Sequence, residues 1–157
     1  MKRKTKITTA AVAAGTIGLT GVGLINASSS EATPNSVVRS VCGSNYYVVR
    51  DGVRALKTPG GSVWGHVYLG YNRSSGYNCV VTTKSAYRGI STPTLARIAV
   101  VGMGGKGYRE SWGNFKNYAY VKAYGRNRCV AYWGDVSKTW AGKPHASGGR
   151  WAWGNCG

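Results

Sequence analysis

The feature that most constrains this fold is a secretory-type leader placed ahead of four cysteines. Basic side chains occupy four of residues 2–6, and a run of small apolar residues follows over 7–27. This pattern predicts a signal peptide over residues 1–32. Earlier cleavage and an uncleaved membrane anchor are the alternatives, although the glycines and threonines of the run make it weakly apolar for a membrane span. Because export places a chain in an oxidising space, we expect residues 33–157 to form a single disulfide-bonded domain.

The four cysteines are Cys42, Cys79, Cys129 and Cys156, and they allow three pairings. We favour Cys42 with Cys79, which would tie the first strand to a strand about two hairpins later. Cys129 with Cys156 would then pin the C-terminal tail. The other two pairings remain open from the sequence. A zinc site needs closely spaced ligand pairs, which the sequence lacks, so we predict no metal and no cofactor.

The charge balance is strongly basic, with 21 lysines and arginines, four acids and a formal charge of +17. Removal of the leader would take away four basic residues and Glu31, which leaves +14 on the mature chain. The bases are spread without a dense tract, and this predicts a diffuse field that attracts polyanions. The expected partners are anionic cell-wall polymers or glycans, together with non-specific binding of nucleic acid. The alternative is that the charge only keeps an aromatic-rich protein soluble.

Residues 33–157 have the composition of a β protein, rich in tyrosine, tryptophan and glycine. Side chains alternate with a period of two over 64–71 and 118–124, and glycine-rich turns separate such segments. Further strands are expected over 79–84 and 129–133. These patterns predict an all-β, mainly antiparallel fold, in the form of a small disulfide-stapled sandwich or barrel.

Two segments are harder to assign. Ser91 and Pro93 resemble a helix start, so one short helix is the alternative to a strand over 91–101. The tail over 140–157 carries three tryptophans among glycines, and we expect it to be an ordered loop held by Cys156.

Several short motifs resemble a known family. They occur in that family's order and cover nearly the whole mature chain: the segments 42–49, 65–72 and 76–82, Tyr118-Ala119, Cys129-Val130 with Trp133-Gly134, and the closing Asn155-Cys156-Gly157. On these motifs the chain resembles the spore-associated protein A family of filamentous actinomycete bacteria. The resemblance implies a small exported protein of the spore or cell surface, with no assigned reaction and no catalytic residues to carry over.

Residues suited to catalysis are scarce. A ribonuclease could use His66 and His145 as base and acid, but one lies in an aromatic strand and the other in a glycine-rich tail, which favours structural or surface roles. A wall hydrolase would need two carboxyl groups from Asp51, Glu110 and Asp135. Turn positions or pairing with a base account for all three carboxyl groups. We therefore predict no enzymatic activity and no catalytic residues.

A better candidate is a binding face of aromatic side chains with one lysine. Period-two alternation puts the members of each strand on one face, where rings could stack on sugars or bases and the ammonium could meet an anion. The predicted binding residues are Trp64, Tyr68, Tyr118, Tyr120, Lys122 and Tyr124. The alternative is that these rings point inward and form the core.

The sequence thus predicts a monomeric, non-catalytic, secreted protein held at the cell wall or spore surface by anionic wall polymers or glycans. It predicts no transmembrane segment after signal cleavage. A small secreted hydrolase, either a ribonuclease or a wall hydrolase, is the main alternative. A cationic antibacterial protein is the second.

Overall fold

The computed structural model describes residues 32–157, so the leader predicted for residues 1–32 lies outside the described residues except for its last position. A nine-residue helix precedes eight strands. The elements are α1 (Pro34–Cys42), β1 (Tyr47–Lys57), β2 (Val63–Asn72), β3 (Tyr77–Lys84), β4 (Thr92–Val100), β5 (Arg109–Phe115), β6 (Tyr118–Tyr124), β7 (Val130–Ser137) and β8 (His145–Gly154). A single 3₁₀ turn at Gly104–Lys106 separates β4 from β5.

The eight strands form one antiparallel sheet in the order β5-β4-β7-β8-β1-β2-β3-β6. The two ends of this order come together, since β6 also lies against β4 and β5, and the sheet is a nearly closed barrel. The predicted all-β, antiparallel and disulfide-stapled fold is confirmed. Of the two predicted architectures, a sandwich and a barrel, the chain adopts the barrel.

The interior of the barrel is filled by one side of every strand except the short edge strand β5, which contributes only the half-buried Phe115. Small residues from β6 face inward opposite larger ones from the other strands. The fully packed interior residues are Leu56, Val67, Leu69, Val80, Ala96, Ile98, Val100, Ala119, Ala123, Val130, Tyr132, Val136 and Ala146. Because strand side chains alternate between faces, the residues that alternate with these positions point outward, where helix α1 covers some of them.

Lys84 is a buried charge at the place where the barrel closes. Its side chain is only 4% exposed, and Nζ donates hydrogen bonds to the Ile90 carbonyl at 2.8 Å, Thr92 Oγ1 at 2.6 Å and the Phe115 carbonyl at 2.9 Å. Burial lowers the pKa of Lys84, because the low-dielectric interior disfavours the ammonium. Three hydrogen bonds offset that cost and tie the end of β3 to β4 and β5.

Helix α1 packs on the outside of the barrel. Thr33 caps its first turn, Pro34 supplies a suitable first helical residue, and the helix ends before Gly43. Its buried residues Val38 and Cys42 cover the outer face of the sheet, in a second apolar cluster with Tyr46, Tyr68, Cys79 and Val81. Gly70 of β2 permits this approach, since a Cβ there would meet Cγ1 of Val38.

Two sequence assignments change with the structure. The possible helix near Ser91 is a strand, β4, whose inner face carries Thr94, Ala96 and Ile98. The α-helix found within residues 32–157 lies earlier, at Pro34–Cys42. The prediction of a loop over 140–157 was wrong, because His145–Gly154 pair with β7 as strand β8. The glycines obscured this strand, yet they allow it to lie close to its neighbours: a Cβ at Gly148 would meet the Ala55 carbonyl.

Disulfide bonds join Cys42 to Cys79 and Cys129 to Cys156, which are the pairs that the sequence analysis favoured. The first bond fastens α1 to β3, and the second fastens the residues after β8 to the start of β7. Peptide mapping of the unreduced protein should yield these two cross-linked pairs. A peptide joining Cys42 to Cys156 would contradict the pairing.

Replacing Lys84 should weaken the barrel. Lys84→Met keeps most of the side-chain length but leaves the Ile90 and Phe115 carbonyls and the buried Thr92 hydroxyl without their donor, so we expect the free energy of unfolding to fall by roughly 2–4 kcal/mol. Urea denaturation measures this change. The exposed Lys138→Met is the matched control and should stay within about 0.5 kcal/mol of wild type. Equal unfolding midpoints for the two variants would show that the Lys84 contacts do not stabilise closure.

Gly70→Ala should loosen helix α1. The added methyl group collides with Val38, so either the helix shifts or the sheet gives way, at a cost of about 1–3 kcal/mol in unfolding free energy. Gly105→Ala is the control, because a Cβ at that position meets nothing within 4 Å. If the two variants were equally stable in urea, α1 would not be packed as described.

Candidate functional site

Strand β6 presents a row of exposed tyrosines. Tyr118, Tyr120 and Tyr124 are between 41 and 45% exposed, while the alternating Ala119 and Ala123 are buried in the barrel. The alternative of inward-pointing rings therefore does not hold for this strand. Small residues face inward here because β6 closes the barrel against β4 and β5, which leave little room for larger side chains.

A fourth ring extends the row. Tyr77 of β3 lies directly opposite Tyr124, with ring centroids 5.6 Å apart in an edge-to-face arrangement. Tyr118 and Tyr120 are 6.4 Å apart along β6. We call Tyr77, Tyr118, Tyr120 and Tyr124 the tyrosine row.

Lys122 lies within the tyrosine row, but its ammonium is already engaged. Nζ donates to the Cys42 carbonyl at 2.8 Å and lies 5.1 Å from the centre of the Tyr46 ring. Lys122 is opposite Cys79 in the strand register, so the Cys42–Cys79 disulfide brings this carbonyl within reach. The lysine therefore secures the end of α1 beside the row and carries positive charge to it.

Two predicted binding residues lie elsewhere. Tyr68 is buried beneath α1 in the second apolar cluster. Trp64 is half-buried at the margin of the barrel core and packs edge-to-face on Tyr87, with centroids 5.2 Å apart. The structure thus brings together four of the six predicted residues. The other two, Trp64 and Tyr68 of β2, pack against the protein's own apolar clusters.

A basic cleft opens at the end of the barrel where β1 and β3 begin and β2, β6 and β8 end. It has a volume of about 530 Å³, and its lining includes no aspartate or glutamate. The polar side chains that line it are Tyr47, Arg50, Tyr71, Arg73, Asn78, Arg126, Asn127 and Asn155. We call it the arginine cleft.

The arginines of this cleft are held in place without losing their charge. Arg73 Nε donates to the Tyr47 hydroxyl at 3.1 Å, and its guanidinium lies 5.7 Å from the centre of that ring. Arg126 Nη2 donates to the carbonyls of Arg73 and Ser74 at 3.0 and 2.7 Å. Neither contact uses a carboxylate, so both guanidiniums remain available to an anion.

Other polar groups add to the arginine cleft. Within residues 32–157 the Arg50 side chain has no hydrogen-bond or ion-pair partner. Asn155 donates to the Arg50 carbonyl at 2.9 Å, while its own Oδ1 is buried without a partner. The nearby acid, Asp51, forms ion pairs with Arg54 and Arg150. The cleft is therefore a concentrated positive site.

The arginine cleft and the tyrosine row are continuous. Tyr124 and Arg126 both pack over Gly76, where an added Cβ would lie within 3 Å of atoms of each side chain. The sequence analysis missed the cleft because its arginines are far apart in the chain. One signal was present: the pattern Tyr-x-Arg follows two strands, at Tyr71 to Arg73 and Tyr124 to Arg126.

The five residues considered for catalysis do not form one site. Asp51 and His66 lie away from the others: Asp51 pairs with arginines, and the His66 ring is 6.2 Å from that of Tyr68. Glu110, Asp135 and His145 line one cleft on the outer face of β4, β5, β7 and β8. Within residues 32–157 no three His, Cys, Asp or Glu side chains are grouped so as to hold a metal ion.

No protein-family model and no solved structure matches this chain. It is 35% identical over 127 residues to spore-associated protein A of Streptomyces coelicolor, a match that covers 76% of this chain and 74% of that relative.

The chain belongs to the spore-associated protein A family. The family resemblance drawn from the short motifs is thereby confirmed. A spore-associated relative and two disulfides fit an extracellular or spore-surface location. In the part of the chain that the structure describes, no helix has the length and apolar character needed to cross a bilayer.

Proposed function

We propose that this protein is a secreted, non-catalytic surface protein that is retained by binding anionic wall polymers or glycans. The observation that carries the proposal is the arginine cleft, which combines three arginines and lacks acidic side chains. Guanidinium groups match phosphate and carboxylate groups geometrically and keep their charge at any physiological pH. The overall positive charge would raise the local concentration of a polyanion before it reaches the cleft.

The tyrosine row supplies a second kind of contact for the same polymer. Wall polymers carry sugars or polyols between their anionic groups, and exposed aromatic rings contact the apolar faces of such units. Since Tyr124 adjoins Arg126, one extended chain could place its anions in the cleft and its neutral units along the row. Retention of this kind needs neither a nucleophile nor a general acid.

Nucleic acid could use the same surface, because phosphates suit the arginines and bases stack on tyrosines. The row carries no feature that would select bases over sugars. We therefore treat nucleic acid as a competitor that the binding experiment must include.

Neutralising the arginine cleft should release the protein from walls. The triple variant Arg50→Gln, Arg73→Gln, Arg126→Gln is expected to bind at least about tenfold more weakly, at roughly 0.5 kcal/mol or more for each lost contact. Cosedimentation of the oxidised protein with purified walls across a salt series measures this change. Binding by the wild type should fall as salt rises and disappear when the anionic polymers are stripped from the walls.

The matched control replaces three exposed bases outside the cleft by glutamine, at Lys57, Arg88 and Lys138. It has the same net charge as the triple variant, so a site in the cleft predicts near wild-type sedimentation. If both variants lost the same amount of wall binding, the loss would be explained by net charge and not by the arginine cleft. Unchanged binding to stripped walls, or complete displacement by a trace of single-stranded DNA, would contradict retention by wall polymers.

A further inference from the structure

A second cleft lies on the outer face of β4, β5, β7 and β8 and shares no residue with the arginine cleft. Its volume is about 430 Å³, within the range of small-molecule sites. It is lined by Leu95, Arg97, Glu110, Trp112, Trp133, Asp135, Ser137, Gly142 and His145. We call it the tryptophan cleft.

Tryptophan side chains line this cleft and its margin. Trp112 and Trp133 line it, and the ring of Trp140, in the turn before β8, packs against that of Trp112. Trp112 and Trp140 are 44 and 57% exposed, with ring centroids 5.4 Å apart at an interplanar angle of 82°. Two large rings held nearly at right angles at the surface form a corner that a flat, weakly polar ligand can enter.

The polar side chains of the cleft hold one another in place. Asp135 accepts hydrogen bonds from Ser137 Oγ and His145 Nδ1, both at 2.7 Å. A carboxylate only accepts, so Nδ1 carries the proton of this hydrogen bond and Nε2 is left outside it. Among the described residues, no other group bonds to Nε2. Orientation of His145 is thus settled before any ligand binds.

Glu110 is held in a similar way. Its Oε2 accepts from Arg97 at 2.9 and 3.0 Å and from the Tyr108 hydroxyl at 2.9 Å. The Arg97 guanidinium also lies 5.5 Å from the centre of the Tyr108 ring and 5.9 Å from that of Trp151. The remaining carboxylate oxygen of Glu110 is free to accept from a hydroxyl group.

The charge of the tryptophan cleft differs from that of the rest of the molecule. Two of the three acids of residues 33–157 lie here, and Arg97 is paired with one of them. A polyanion would meet the carboxylates of Asp135 and Glu110, whereas a neutral ligand rich in hydroxyl groups would find acceptors for its protons. The cleft therefore suits neutral sugars better than anionic ones.

The same contacts argue against hydrolysis. Ser137 donates its hydroxyl to Asp135 rather than to His145, so this serine is not aligned with the imidazole as a nucleophile. Glycoside hydrolysis needs one protonated carboxyl group, and Glu110 is paired with an arginine. The arrangement is equipped for recognition.

We propose that the tryptophan cleft binds a neutral oligosaccharide. One sugar ring stacks in the corner formed by Trp112 and Trp140, and its hydroxyl groups bond to Asp135, Glu110 and His145 Nε2. This site is additional to the arginine cleft and does not depend on it. Sugar binding here would change little with salt, whereas binding of polyanions in the arginine cleft would weaken as salt rises.

The test is titration of the oxidised protein with three neutral tetrasaccharides, those of N-acetylglucosamine, β-1,4-glucose and α-1,4-glucose. Tryptophan fluorescence and calorimetry supply the readouts. At least one sugar should give saturable binding that changes less than twofold when salt is raised. Trp112→Ala should weaken that binding at least about tenfold, in line with the loss of one stacking ring.

Trp153→Ala is the matched control, since Trp153 is also exposed but does not line the cleft. Asp135→Asn serves as a second variant that preserves shape, and it should also weaken binding. Saturation by none of the three sugars, or equal losses in Trp112→Ala and Trp153→Ala, would overturn the proposal. The triple arginine variant should bind the sugar normally while losing the wall, which separates failure of this proposal from failure of the first.

Discussion

The Lys84 ammonium, buried where the sheet closes on itself, donates to acceptors from the segment before β4, from β4 itself and from the end of β5. A sheet of eight strands leaves two edges, and these three hydrogen bonds join the neighbourhoods of both edges at one end. Closure of the sheet defines an inside and an outside, so one face of the strands packs in the barrel core and the other faces outward. The tyrosine row, the arginine cleft and the tryptophan cleft all depend on closure, because they are formed by the side chains that it leaves outside.

The outside of the barrel is divided by chemistry. Helix α1 covers part of β1, β2 and β3 and is fastened by the Cys42–Cys79 disulfide. Next to it are the tyrosine row and the arginine cleft, which together form a positive, aromatic strip. The tryptophan cleft, on strands that α1 does not cover, contains two of the few acids. A strongly basic chain thus carries one surface suited to anions and one suited to neutral ligands.

Predictions from local patterns succeeded where the physical cause was local. Alternation on β6 grouped Tyr118, Tyr120 and Tyr124 correctly, because successive side chains of any strand must point to opposite faces. The same pattern could not say which face is outside. On β2 the ring of Tyr68 is covered by a helix whose approach depends on the absence of a side chain at Gly70. Strand β8 was not predicted, because glycines interrupt the alternation of polar and apolar side chains that indicates a strand. The sheet needs Gly148 and Gly149 for close contact with β1 and β7.

The sequence by itself determined the β character, the likeness to spore-associated protein A, the excess of positive charge and the supply of cysteines. Each of these follows from residue types or from neighbours along the chain. Only the tertiary structure decided that three distant arginines share one cleft and that Glu110, Asp135 and His145 share another. The reason is that strand order, not chain order, sets neighbours in a barrel: β4 pairs with β7, β8 with β1 and β3 with β6, which joins residues that the linear sequence keeps far apart.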